Sequence, residues 1–258
     1  MCHPEVPAGQ IPPNVSRDEV RVPLGGESMP ALLARPDSGT GSGVLVVSDI
    51  YGRSPFYENL AARLALAGFH ALLPDFFFRE GPLVERTMEA AFARRGQWVE
   101  KQGLADLITA IDWLNNQDGV NGARVGTVGF CLGGTLVLGI AANRDDVATV
   151  CYYGFPAGSP TSANNAPAPL SVTEKMSGPM LGFWGEQDAA VGIDNVFKLA
   201  DSLQARGVEF DHTIYPGVGH GFLAASKLDP EHEAYEIACD SWTKAIEFYR
   251  RTLAASKE

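Results

Sequence analysis

The sequence has no long apolar run. Its longest, such as Val44 to Val47, fall far short of the roughly 20 residues a bilayer-crossing helix needs, so no membrane segment is expected. Positive charge is also scarce: 20 Lys and Arg stand against 31 Asp and Glu, a formal net charge of −11. The densest basic spot, Arg94-Arg95, is flanked by acidic residues, and nucleic acid is not an expected partner. The 4 cysteines (Cys2, Cys131, Cys151, Cys239) contain no C-x-x-C pair, which suggests neither a disulfide framework nor a zinc site. None of the 5 histidines forms the i, i+4 helical pair of a zincin, so no metal is expected. The first residues lack the basic opening and apolar core of a secretory signal, and a cytoplasmic location is expected.

What is present is an ordinary globular composition, 45% hydrophobic and 20% charged over 258 residues. One domain over residues 1–258 is expected, with 1–19 as an extended N-terminal segment. From Gly43 onward short β-rich apolar runs alternate with stretches of helical spacing. The runs are 44–47, 69–73, 125–129, 149–153, 180–184 and 210–215; the helical stretches are 56–67, 83–115 with breaks, 132–142, 193–206 and 231–253. This alternation predicts an α/β fold with a mostly parallel central sheet flanked by helices. Val20 to Leu24 and Ala31 to Ala34, around Gly25-Gly26, read as an antiparallel edge hairpin. Two stretches, 74–82 with Phe76-Phe77-Phe78 and 154–171, follow strand ends, where open α/β sheets hold their ligands. Both are expected pocket walls.

Gly129-Phe130-Cys131-Leu132-Gly133-Gly134 stands where a strand must turn abruptly into a helix, the nucleophile-elbow pattern G-x-[Ser/Cys]-x-G. Residues two before and two after the nucleophile must lack Cβ there, and the helix N-terminus favours a thiolate. Cys131 is therefore the candidate nucleophile. A thiol needs a base, and His220, in the glycine-flanked loop Gly217 to Phe222 after a strand, lies at the same sheet edge. His70 and His212 fall within strands and read as structural, His3 and His232 as exposed. Asp188, directly after the 180–184 strand, is the candidate orienting carboxylate, with Glu186 as rival and an N-cap of the helix near Ile193 as its structural alternative. The order Cys131, Asp188, His220 is that of the α/β-hydrolases.

Together Gly129 to Gly134, Trp184-Gly-Glu-Gln-Asp188 and Tyr215-Pro-Gly-Val-Gly-His-Gly-Phe222 make the chain resemble the dienelactone hydrolase family, the cysteine branch of the α/β-hydrolases. Val46 to Gly52 and Leu72 to Phe76 extend the likeness. The resemblance implies an α/β-hydrolase fold and cleavage of small esters or lactones through an acyl-cysteine, with no cofactor. It also implies that the backbone N–H groups of Ile50 and Leu132 form the oxyanion hole. Asp49 stands where the family carries a longer acid that contacts the resting thiol; its alternative role is to cap the helix near Pro55. The family's substrate-gripping arginine, four residues after the histidine, is Ala224 here, while Arg86 and Phe92 lie near two assisting positions. A neutral or differently shaped ester or lactone is thus the expected substrate, with Tyr51, Arg53, Phe78, Arg79, Phe92 and Phe222 as candidate substrate-binding residues and Arg53 or Arg79 as replacement cations. A thioesterase or acyltransferase would use the same triad, and a non-catalytic binding protein could keep the fold. A monomer or small homo-oligomer is expected.

Overall fold

A computed structural model describes residue 12 and residues 15–159 and 166–254. Strands β1 (Ser16–Pro23) and β2 (Ser28–Arg35) form the expected hairpin. They are followed by β3 (Gly43–Val47), β4 (His70–Pro74), β5 (Val125–Phe130), β6 (Val147–Tyr152), β7 (Met180–Gly185) and β8 (Phe210–Tyr215). All eight join one sheet in the order β1-β2-β4-β3-β5-β6-β7-β8. Only the β1–β2 and β2–β4 pairs are antiparallel; the rest are parallel. Strands β3 to β7 are buried along their whole length, which is why they read as continuous apolar runs, whereas β8 is a half-exposed edge. The fold is therefore the expected α/β one. Of the expected N-terminal segment, Ser16 to Glu19 belong to β1, and Cys2 and His3 lie outside the described residues.

The helices are α1 (Pro55–Leu66), α2 (Met88–Gln97), α3 (Glu100–Asn115), α4 (Leu132–Ala141), α5 (Ile193–Gln204), α6 (Phe222–Ser226) and α7 (Tyr235–Thr252), with a 3-10 segment at Pro169–Lys175. Neither α6 nor the 3-10 segment is apparent from periodicity, being too short to carry any. Every residue of α4 is buried, packed on β5, β6 and α3. In α7, Ala238, Trp242, Ala245 and Tyr249 form the expected apolar face, and the Tyr249 hydroxyl donates to the Thr127 carbonyl at 2.8 Å. That helix starts at Tyr235 rather than Glu231, because side chains of Asp229 and His232 accept the N–H groups of Glu231 and Ala234 in non-helical turns. A row of rings crosses the sheet: Tyr57–Phe130 at 5.2 Å, Phe130–Tyr152 at 5.0 Å, Tyr152–Phe183 at 4.8 Å and Phe183–Tyr215 at 6.1 Å between centroids. Cys239 is disulfide-bonded, a departure from the expectation drawn from scattered cysteines, since spacing along the chain is blind to pairs made by folding. No helix among the described residues is long and apolar enough to cross a membrane.

The helical stretch 83–115 breaks at Trp98, whose backbone is extended. Its indole packs on Phe76 at 5.3 Å and Phe77 at 5.0 Å and donates to the Phe76 carbonyl at 3.1 Å. Gly103 makes room for it: a Cβ there would lie 2.0 Å from the ring. Phe76 and Phe77 are thus core residues that anchor the α2–α3 joint, and do not form the expected pocket wall. Trp98→Ala is expected to lower the unfolding free energy by about 3–5 kcal/mol, read by urea denaturation.

Candidate active site

Six parallel strands, β3 to β8, end at one edge of the sheet, and the loops leaving β3, β5, β7 and β8 meet there. At the end of β5 the chain reverses through Cys131, whose φ of 56° and ψ of −115° lie outside the ordinary regions for an L-residue. Such a conformation costs about 1–3 kcal/mol and persists only where its surroundings enforce it. Here they do. A Cβ on Gly129 would sit 2.1 Å from the Gly133 carbonyl oxygen, and one on Gly133 would sit 2.2 Å from that of Val47. The Cys131 N–H is anchored to the Tyr152 carbonyl at 3.1 Å.

Asp188, 2% exposed, directs Oδ2 to Nδ1 of His220 at 2.7 Å, while its Oδ1 accepts the Val191 N–H at 3.1 Å. It does not cap α5, whose N-cap is Gly192. Glu186 instead accepts the Gly217 N–H at 3.3 Å. His220 rests between Tyr153 and Phe155, with ring centroids at 5.2 and 5.3 Å. Burial among these rings opposes its positive charge, but hydrogen bonds to Asp188 and to the Cys131 side chain outweigh it and raise its pKa to about 10. Cys131 is half-buried, whereas Cys151 is fully buried against the Gly134 carbonyl and its thiol is pushed up to about 12.

Asp49 follows two residues after the end of β3. Its Oδ1 accepts the Tyr51 N–H and its Oδ2 the Tyr57 hydroxyl, both at 2.8 Å. Burial raises its pKa, moderated by those two bonds and by the charges of Arg86 and His220. The capping alternative fails, since Ser54 is the N-cap of α1. The Gly52 N–H closes the turn on the Asp49 carbonyl at 3.0 Å. Tyr51 and Gly52 thus supply the donors of this turn, leaving the Ile50 N–H out of it. Leu132, as first residue of α4, likewise has an N–H with no intrahelical acceptor.

These groups share a cavity of about 390 Å³. Cys131, Leu132 and His220 line it, with Asp49, Ile50 and Tyr51 on one side, Met88 and Phe92 on another, and Tyr153, Phe155, Ala190 and Ala224 completing an apolar wall. Four expected substrate-binding residues lie elsewhere. Arg53 is held by Glu19 and Glu58, and Arg79 by Glu27 and Asp106. Phe78 packs under the Arg79 guanidinium. Phe222 is buried, edge-on to Tyr153 and Tyr215. Sequence reasoning missed Met88, Tyr153, Phe155 and Ala190. Met88 was accessible in principle, one turn before Phe92, and Phe155 lies in the flagged stretch 154–171. An adjoining cavity of about 320 Å³ shares Asp49 and Ala224 and adds the cations Arg86 and Lys227. Among the described residues no group of three or more potential metal ligands occurs.

The family model described as the dienelactone hydrolase family matches residues 29–253. A carboxymethylenebutenolidase of Rhodococcus opacus is 33% identical over 254 residues, covering 98% of both chains. A provisionally named carboxymethylenebutenolidase of Salmonella typhimurium is 30% identical, over 91% of this chain and 87% of its own. Among solved structures, a provisionally named dienelactone hydrolase from Klebsiella pneumoniae superposes with a TM-score of 0.82 at 29% identity, over 92% of this chain and 99% of its own.

The charge on His220 is open to measurement. Because its pKa is raised in the fold, from 6.5 to about 10, its contribution to stability is complete below pH 6.5 and is lost as the pH climbs toward 10. Denaturation between those limits should show wild-type stability falling more steeply than that of His220→Gln; parallel profiles would contradict the assigned network.

Proposed function

The chain belongs to the dienelactone hydrolase family, and from that premise we propose that it cleaves small neutral esters or lactones through an acyl-cysteine. One observation carries the reading: a cysteine, a histidine and a buried aspartate linked in series, opening on an apolar cavity. Cys131 Sγ adds to the substrate carbonyl, His220 holds the thiol proton, and Asp188 keeps the imidazole oriented through Nδ1. The carbonyl oxygen, now negative, receives the N–H groups of Ile50 and Leu132, where each donor contributes about 2.7–4 kcal/mol to the transition state. Collapse breaks the ester C–O bond, and the leaving alkoxide takes the proton from His220. A water molecule then gives a proton to His220 while its oxygen adds to the acyl carbon, and thiol and acid are released. In the resting enzyme the Asp49 carboxylate, beside the same cavity, disfavours thiolate by like-charge repulsion and restrains Cys131.

The apolar wall, with Ala224 and no Arg or Lys among the lining residues, favours an uncharged substrate. Arg86 and Lys227 in the adjoining cavity favour a second reading, a lactone bearing a carboxylate. Comparing kcat/KM for a neutral ester and a carboxylate-bearing lactone separates them: the first reading expects preference for the ester, and the second expects the preference reversed and weakened by Arg86→Ala.

Cys131→Ala is expected to abolish turnover of a chromogenic short-chain ester. Asp188→Asn should lower kcat by about 10⁴, with the circular dichroism spectrum unchanged. Surviving activity in Cys131→Ala would refute the mechanism. Iodoacetamide should label Cys131 and spare Cys151, and Asp49→Asn should label faster at neutral pH without substrate. An unchanged rate would remove Asp49 from the catalytic account.

A further inference from the structure

Arg94 is 8% exposed, yet its hydrogen bonds go to backbone carbonyls and to no carboxylate. Nη2 donates to the Ile50 oxygen at 2.9 Å and Nη1 to the Gly81 oxygen at 3.3 Å, with the guanidinium 4.0 Å above the Phe77 ring. Burying a cation in this way is unfavourable: it disfavours the charge, which Asp75 and Glu80 offset only through space. A residue serving packing alone would not need that charge. The site has also been cleared for it, since a Cβ on Gly52 would stand 3.2 Å from Nη2, and Gly52 holds a φ of +74°. The carbonyl it grips belongs to the turn whose next two N–H groups are already committed to Asp49. Its other end is on α2, the helix that carries Met88 and Phe92 into the cavity wall.

We infer that Arg94 is a positioning residue for the oxyanion turn: by clamping the Ile50 carbonyl from α2 it sets where residues 49–52, and with them the Ile50 N–H, stand relative to the cavity wall that α2 builds. The inference rests on the proposed role of Ile50 as an oxyanion donor. Four ties on residues 49–52 come from different sources. Two are within the turn, from the Asp49 side chain and carbonyl, one comes from the Tyr57 hydroxyl at the start of α1, and the fourth reaches in from α2, 44 residues away in the chain. Without it the Asp49 ties preserve the internal shape of the turn, while the turn loses its link to α2.

The test compares Arg94→Ala with wild type in three measurements: steady-state ester hydrolysis, the rate of Cys131 alkylation by iodoacetamide, and rescue by free guanidinium ion. Displacement at iodoacetamide's saturated carbon forms no oxyanion, so alkylation reports the thiol and hydrolysis reports the thiol together with the hole. The expected result is a kcat about 100-fold lower, KM and alkylation rate unchanged, and partial recovery of kcat with millimolar guanidinium but not with sodium at equal ionic strength. Should Arg94→Ala fail to fold, Arg94→Lys, which keeps the charge and stem but loses the two-pronged donor, must show the same loss of kcat at unchanged alkylation. Unchanged kcat in a folded variant overturns the inference, as does a kcat that falls in step with alkylation. A parallel Cys131→Ala assay keeps the two ideas apart, because activity surviving there refutes the underlying mechanism, whereas activity lost there and kept in the Arg94 variants refutes only the role of Arg94.

Discussion

Everything at the site depends on how closely backbones can approach at the end of β5. Helix α4 must begin against the carbonyls of Val47 and Ser48 while the Gly129 Cα passes within contact of the Gly133 carbonyl, distances that no side chain tolerates. That approach holds Cys131 in its unusual φ and ψ, on the wall of the cavity. It also brings the β3 turn against the start of α4. Ile50 and Leu132, 82 positions apart in the chain, therefore line the same cavity. A methyl group at Gly133 would separate them, and with them Cys131 from its surroundings.

Electrostatics then divide the labour. Asp188 is almost wholly buried, with one oxygen held by the Val191 N–H and the other turned to His220. Asp49 is held by a tyrosine hydroxyl and a backbone N–H, weaker partners than a cation, and burial keeps its proton affinity raised. Two carboxylates in unlike environments thus stand by one cysteine–histidine pair.

The fold was legible because parallel strands buried on both faces leave unbroken apolar runs and amphipathic helices leave a period; each of the six runs from β3 onward became a strand within about two residues of its expected ends. The geometry linking Cys131, Asp188 and His220 was legible for another reason: strand-end position and glycine spacing are local, and the parallel topology gathers strand ends at one edge. What could not be read were side-chain partnerships. Arg53 and Arg79 looked like free cations near the site, yet each is taken by acids from β1, α1, the hairpin turn or α3. Asp49 looked able to cap α1, and only the turn at 49–52 reveals that its oxygens are engaged elsewhere. Tyr153 and Phe155 carry no chemical signature as residues; their seat around His220 exists only once β6 lies beside β7.

The row of rings from Tyr57 through Phe130, Tyr152 and Phe183 to Tyr215 runs across the strands just below the loops that bear these groups. An aromatic ring can flip only if its neighbours yield volume, and in a layer packed this densely no neighbour yields alone. A substitution at one ring beneath one loop is therefore expected to alter the packing of the ring beneath the next.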